Sequence, residues 1–184
     1  MTAPAWPGAA FLPSWLYHSQ AIALQERSDY ASRCWHPVVA VSELEPGQAL
    51  ATELLGVPLV VTRPSATGEP RALINRCPHR GVALLEASPG AVACKRLVCP
   101  YHGWTYDLEG QLLAAARESD FVEVFDRSQW PLQTLPVQTF GPWIWVALSA
   151  HPIALEDQLD LVLEEAGDLF RAPRQLLLRQ QRPL

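Results

Sequence analysis

Hydrophobic and polar positions along the chain change period twice, from helical spacing near the start to alternation through the middle and back to helical spacing near the end. Residues 1–13, rich in Ala and Pro, read as an irregular lead-in. Residues 19–33 read as a short helix capped by Ser19, with Ile22, Leu24 and Tyr30 on its apolar side and Glu26, Arg27 and Asp29 left to solvent. The period then becomes that of strands. Residues 35–41 are β-like, Glu45-Pro46-Gly47 signals a turn, and 49–55 with 57–63 form a strand pair broken at Gly56. After a turn region over 64–70, short strands are expected at 71–75 and 96–98, each running into a loop that holds a cysteine and a histidine. Asp107-Leu108-Glu109-Gly110 closes a hairpin, and 135–140 and 143–148, separated by Gly141-Pro142, make the last strand pair. Over 155–170 the residues Leu155, Leu159, Val162, Leu163, Ala166 and Phe170 return to helical spacing, weakened near the end by Gly167, and 175–179 reads as an extra strand or a tail. Many short strands with regular turns predict a mainly β fold, a small antiparallel sandwich or barrel with short N- and C-terminal helices.

Length and composition limit the organisation to one principal domain. A chain of 184 residues, 49% hydrophobic, buries one substantial core and at most a small appendage. The expected division is a lead-in and helix over 1–34, a β domain over 35–150 whose ligand-bearing part is about 71–113, and a helix and tail over 151–184. A net charge of -5 with scattered signs offers no basic stripe for nucleic acid and no polybasic membrane patch, and no stretch approaches a membrane span. Nucleic acid and membrane are therefore excluded as partners.

The chemistry is concentrated in two loops. Cys77-Pro78-His79-Arg80-Gly81 and Cys99-Pro100-Tyr101-His102-Gly103-Trp104 each offer one thiolate and one imidazole, as C-x-H and C-x-x-H separated by 19 residues. Two mixed pairs suit two metal ions better than one, because an iron–sulfur cluster can take thiolates on one iron and imidazoles on the other. A single structural zinc is the competing reading, although zinc fingers usually bring their ligands as C-x-x-C and H-x-x-x-H. Gly81 and Gly103 allow sharp turns at the ligands, while Pro78 and Pro100 stiffen the loops. His18, His36 and His151 are isolated and read as ordinary histidines. With two cysteines committed to metal, Cys34 and Cys94 remain; Cys34 reads as a small buried side chain beside Trp35. Residues 1–11 lack a basic start and an apolar run, so a reducing cytoplasm is the expected compartment.

The run N-x-C-P-H-R-G followed by C-P-Y-H-G-W-T-Y-D-x-x-G, from Asn75 to Gly110, resembles the Rieske domain of the alpha subunit of ring-hydroxylating and related non-haem iron oxygenases. The likeness extends over about residues 12–163. It implies a Rieske-type β-sandwich whose cluster-binding subdomain is two hairpin loops, and one [2Fe-2S] cluster with Cys77 and Cys99 on one iron and His79 and His102 on the other. Arg80, Gly81, Tyr101, Gly103 and Trp104 would line that cluster, with Trp104 as an apolar shield. Val82, Tyr101 and Trp104 stand where high-potential relatives carry loop cysteines and a serine, which implies the low-potential, oxygenase-like branch.

The resemblance further implies an oxidoreductase component with no catalytic residue of its own, taking electrons from a reductase or ferredoxin and passing them to a mononuclear iron held by two histidines and a carboxylate. No such second constellation is expected within these residues, so that iron would lie on another polypeptide or domain. Room is left for a homo-oligomer. Two other roles stay open: a free Rieske ferredoxin-like shuttle, and a non-catalytic redox-sensing or assembly subunit. Arg76, Arg80, Lys95 and Arg96 flank the ligand loops and would suit an acidic electron-transfer partner, whereas Glu118, Asp120, Glu123 and Asp126 form an acidic stretch after them.

Overall fold

The computed structural model describes residues 12–121 and 124–171. It contains eleven short strands and two α-helices: α1 (Gln20–Gln25), β1 (His36–Ala40), β2 (Gln48–Leu54), β3 (Val57–Arg63), β4 (Arg71–Ile74), β5 (Val92–Ala93), β6 (Leu97–Val98), β7 (Thr105–Tyr106), β8 (Leu112–Ala114), β9 (Thr134–Leu135), β10 (Val137–Phe140), β11 (Trp143–Val146) and α2 (Leu155–Arg171). All strand pairs are antiparallel. They form a three-stranded sheet β1-β11-β10, a five-stranded sheet β5-β2-β3-β4-β9 and a second three-stranded sheet β6-β7-β8.

The five-stranded sheet is the middle layer. Side chains alternate across a strand, and β3 is buried on both faces. Leu59 and Val61, with Ala72 of β4, join Val39, Ile144 and Val146 in the core shared with β1 and β11. Val60, with Ala49 of β2 and Leu73 of β4, faces the other way and packs under Cys77, Leu97, Cys99, Trp104 and Tyr106. The ligand-bearing hairpins thus rest directly on the central sheet, where the buried Thr62 hydroxyl also donates to the Leu108 carbonyl of the hairpin turn. Between β2 and β3 the chain reverses at Leu55 and Gly56, both at positive φ (51° and 82°), as the tightest hairpin turns require.

Two expectations are refined. The predicted helix over 19–33 begins as expected, with the Ser19 hydroxyl accepting from the Ile22 amide at 3.4 Å, but only Gln20–Gln25 is α-helical. A wider π turn over Glu26–Tyr30 and a 3-10 turn over Ala31–Arg33 follow. Ser28 and Ser32 hydroxyls donate to the Gln25 and Ser28 carbonyls there and compete with the backbone ladder. The predicted strand over 135–140 divides at Pro136, which has no N–H to give a ladder, and the chain crosses there from β9 on the middle sheet to β10 on the outer one. α2 lies where the helical period predicts and packs Leu155 and Leu159 on Trp35 and Trp145. Its Gln158 clamps Trp35 by accepting from the amide (2.7 Å) and donating to the carbonyl (2.8 Å). The lead-in over 1–11, Glu123 and the segment over 175–179 lie outside the described residues.

Candidate metal centre

The two loops fold to one backbone design. In the first, the Cys77 amide donates to the Val82 carbonyl and the Gly81 amide to the Cys77 carbonyl, both at 2.8 Å; in the second, the Cys99 amide donates to the Trp104 carbonyl at 2.8 Å and the Gly103 amide to the Cys99 carbonyl at 2.9 Å. Gly81 and Gly103 sit at the same place in each turn with φ of +73° and +70°, a region that L side chains rarely adopt. Cys77 and Cys99, at 2% and 3% exposure, point into the core above the central sheet. Their thiols are neighbours, and the Tyr106 hydroxyl lies 3.6 Å from the Cys77 sulfur.

The imidazoles form a second pair on the outer side. The rings of His79 and His102 have centroids 4.7 Å apart, and the Nδ1 atom of each is buried without a hydrogen-bond partner. His79 stacks on the buried Trp104 ring at 5.0 Å, nearly parallel at 6°, while Tyr101 lies against His102 at 3.8 Å. The Arg80 guanidinium sits 5.9 Å over the exposed Tyr101 ring. Behind Trp104, Phe125 and Trp130 meet it edge-on at 5.7 and 5.4 Å. A cleft of about 300 Å³ opens beside the histidines, walled by Trp104, Ala116, Arg117, Asp120 and Phe121.

The electrostatics favour the metal-binding protonation state at His79. Burial, then the neighbouring His102, then the Arg80 charge all lower the His79 pKa, which keeps the neutral ring that can ligate. Burial pushes the Cys77 thiol up, and the Tyr106 hydroxyl opposes that shift. Tyr106 is itself raised far above the usual phenol range, by burial first and then by Cys77, so it stays a hydrogen-bond donor. Two orphaned inward nitrogens are costly unless a metal takes them. Buried thiols on one side and unpartnered imidazole nitrogens on the other fit a two-iron cluster with mixed ligation. Among the described residues no three Cys, His, Asp or Glu side chains converge as the ligands of one ion.

Other expected residues take ordinary places. His36 Nε2 bonds the Ala31 carbonyl at 2.7 Å, His18 and His151 are exposed, Cys34 is buried beside Trp35, and Cys94 donates to the Arg96 carbonyl at 3.0 Å. The acidic stretch is tied up locally: Glu118 takes a two-pronged bond from Arg127 at 2.9 and 3.0 Å, Asp120 pairs with Arg117, and Asp126 accepts from the Ser128 amide. Arg76, Arg80, Lys95 and Arg96 are exposed and form no ion pair among the described residues. Sequence reasoning gave no role to Tyr106, Phe125 or Trp130. Tyr106 was within reach, because it stands two residues after Trp104 and so shares its face of an extended segment. No helix of the described residues is long and apolar enough to cross a membrane.

Comparison with known proteins agrees with this geometry. Residues 34–136 match the model of the Rieske [2Fe-2S] domain. The chain is 32% identical over 148 residues to the carnitine monooxygenase oxygenase subunit of Acinetobacter baumannii, covering 80% of this chain and 39% of the relative. It is 39% identical over 113 residues to the glycine betaine monooxygenase oxygenase subunit of Pseudomonas aeruginosa, covering 61% of this chain and 25% of that one. A crystal structure of a quaternary ammonium Rieske monooxygenase with a bound inhibitor superimposes with a TM-score of 0.73 at 29% identity, over 85% of this chain and 44% of that one. The chain therefore spans less than half of the length of each of these relatives. It belongs to the Rieske [2Fe-2S] domain family, binds a [2Fe-2S] cluster, and is homologous to the alpha subunits of Rieske oxygenases.

Proposed function

We propose that this chain is the electron-carrying component of a Rieske oxygenase system, with Cys77 and Cys99 holding one iron of the cluster and His79 and His102 the other. The observation that carries the reading is the pair of buried, unpartnered Nδ1 atoms on facing histidines, set outside two neighbouring buried thiols. When bound, the cluster supplies a one-electron couple, in a range of roughly -150 to +300 mV that neutral imidazole ligands raise above all-thiolate clusters. The protein residues do the rest. Cys77 and Cys99 anchor the inner side in the core, and Trp104 covers one imidazole from water while Tyr101 lies against the other. Gly81 and Gly103 set the turns, and Arg80 adds a positive charge near His79. The partly exposed histidine edge, opening on its cleft, is the side by which electrons enter and leave.

The donor in this reading is a reductase or ferredoxin. The acceptor is a mononuclear iron in a domain or subunit beyond the described residues, since the oxygenase subunits it resembles are more than twice as long. One solved relative is described with inter-subunit electron transfer, which supports a homo-oligomeric arrangement. Residues 35–150 form the cluster-bearing unit, and cysteines that form no disulfide among the described residues suit a reducing cytoplasm.

The test is an assay of iron, acid-labile sulfide and zinc per chain on protein purified without air, with EPR of the reduced sample. Two irons and two sulfides are expected, with His102→Cys keeping the cluster but abolishing turnover in a reconstituted oxygenase. One zinc without sulfide would sink the reading; unchanged turnover of His102→Cys would remove the electron-transfer role.

A further inference from the structure

The two ligand loops share their backbone design but not their support. Cys99 and Trp104 are continuous with paired strands, in the register Leu97↔Tyr106 and Val98↔Thr105. The first loop leaves β4, and after Val82 no strand forms until Val92. One side chain occupies the missing strand's place. Asn75, 4% exposed, accepts at Oδ1 from the Leu84 amide (2.9 Å) and the Leu85 amide (3.2 Å), and donates from Nδ2 to the Leu85 carbonyl (2.7 Å). A neighbouring strand would satisfy the same kinds of backbone group. Leu84, held in this way, is buried in the core that contains Cys77 and Trp104.

We propose that Asn75 is a positioning residue for the cluster: it replaces a strand behind the first ligand loop and thereby fixes His79 against Trp104. The link runs through the backbone. Asn75 fixes Leu84 and Leu85, these fix the Val82 carbonyl that receives the Cys77 amide, and the closed turn sets His79 on the Trp104 face. Without Asn75 two amides and one carbonyl lose their partners, and the return segment must open to reach water. His102, on the strand-supported loop, keeps its place. The proposal rests on the ligand assignment above.

Asn75→Ala is compared with Thr62→Val, which removes a fully buried bond to the hairpin turn and leaves the first loop alone. Hydrogen exchange of the cluster-loaded protein and EPR of its reduced form are the readouts. In Asn75→Ala the Leu84 and Leu85 amides are expected to lose roughly tenfold or more of their protection. The amides of Trp104 to Tyr106 keep theirs, and the EPR g values shift. Thr62→Val is expected to lower stability without either change. Asn75→Asp keeps the oxygen that receives both amides and is expected to rescue most of the protection with a smaller g shift. Protection and g values unchanged in Asn75→Ala, or an equal g shift in Thr62→Val, would overturn the proposal. If Asn75→Ala does not fold, an Asn75→Asp variant in which either the protection of Leu84 and Leu85 or the g values change without the other overturns it. A wild-type protein without a [2Fe-2S] signal would instead defeat the ligand assignment on which the proposal rests.

Discussion

Replacing Tyr106 by Phe deletes one hydroxyl in a fully buried place and leaves the ring where it is. The lost group lies 3.6 Å from the Cys77 sulfur, a length suited to a sulfur acceptor. With Cys77 as a cluster thiolate, that hydroxyl donates to a centre that gains negative charge on reduction, so the bond is stronger in the reduced state. A hydrogen bond to a charged group contributes about 1.5–3 kcal/mol net. Sulfur is a weaker acceptor, and only the difference between redox states counts, which leaves roughly 1 kcal/mol. At 59 mV per tenfold for one electron, this is a fall of about 40 mV in the reduction potential of Tyr106→Phe. The phenol pKa is raised by burial, so the difference between the two proteins should not vary with pH across the neutral range. A redox titration followed by EPR, on samples matched for iron and sulfide, measures it. A potential unchanged or raised in the variant would refute the reasoning, because it would mean that the hydroxyl does not favour the reduced centre.

The loop glycines make a second comparison. Gly81→Ala and Gly103→Ala meet no protein atom within 4 Å, so in the metal-free chain each should cost mainly the backbone strain of the left-handed conformation, about 1–2 kcal/mol in urea unfolding. Gly110→Ala should cost more, because at φ +91° its new methyl also meets Leu73 at 3.0 Å and Leu132 at 3.3 Å; equal losses at all three would show that contact adds nothing. The bond from Arg127, then the Ala115 amide, holds the exposed Glu118 carboxyl below the usual carboxylate range. Stability from this pair is therefore present above the unfolded carboxylate pKa, about 4.3, and lost as pH falls through the lower folded value. Melting temperatures of wild type and Glu118→Gln should differ at neutral pH and converge in acid; a constant gap would contradict the assignment.

The ligand loops were legible because cysteines, histidines, prolines and glycines lie close together in sequence and their chemistry is local. Most strands were legible too, since alternation and turn residues such as Gly56 and Gly110 mark their ends. Pro136 was visible as a residue, but the change of sheet it permits depends on which strands stand alongside. The π turn after Gln25 depends on serine hydroxyls finding carbonyls, which apolar spacing does not encode. Asn75 was read as the end of a strand; its three bonds to Leu84 and Leu85 exist only once the chain has turned back. The acidic run after the loops looked free in one dimension, yet Arg127 and Arg117 neutralise part of it in three.

The middle sheet, whose strand β3 is buried on both faces, leaves the described residues no independent halves. Leu59 and Val61 of β3 belong to the basal sandwich, and Val60 between them belongs to the layer under the metal ligands. A local opening that frees the ligand hairpins would bare one face of the strands that the sandwich needs on the other. Opening of the two layers should thus be a single cooperative event. The energy of holding metal is then shared by residues that never approach it, and a cavity made at Ile144 or Val146 should quicken iron loss as well as loosen the sandwich.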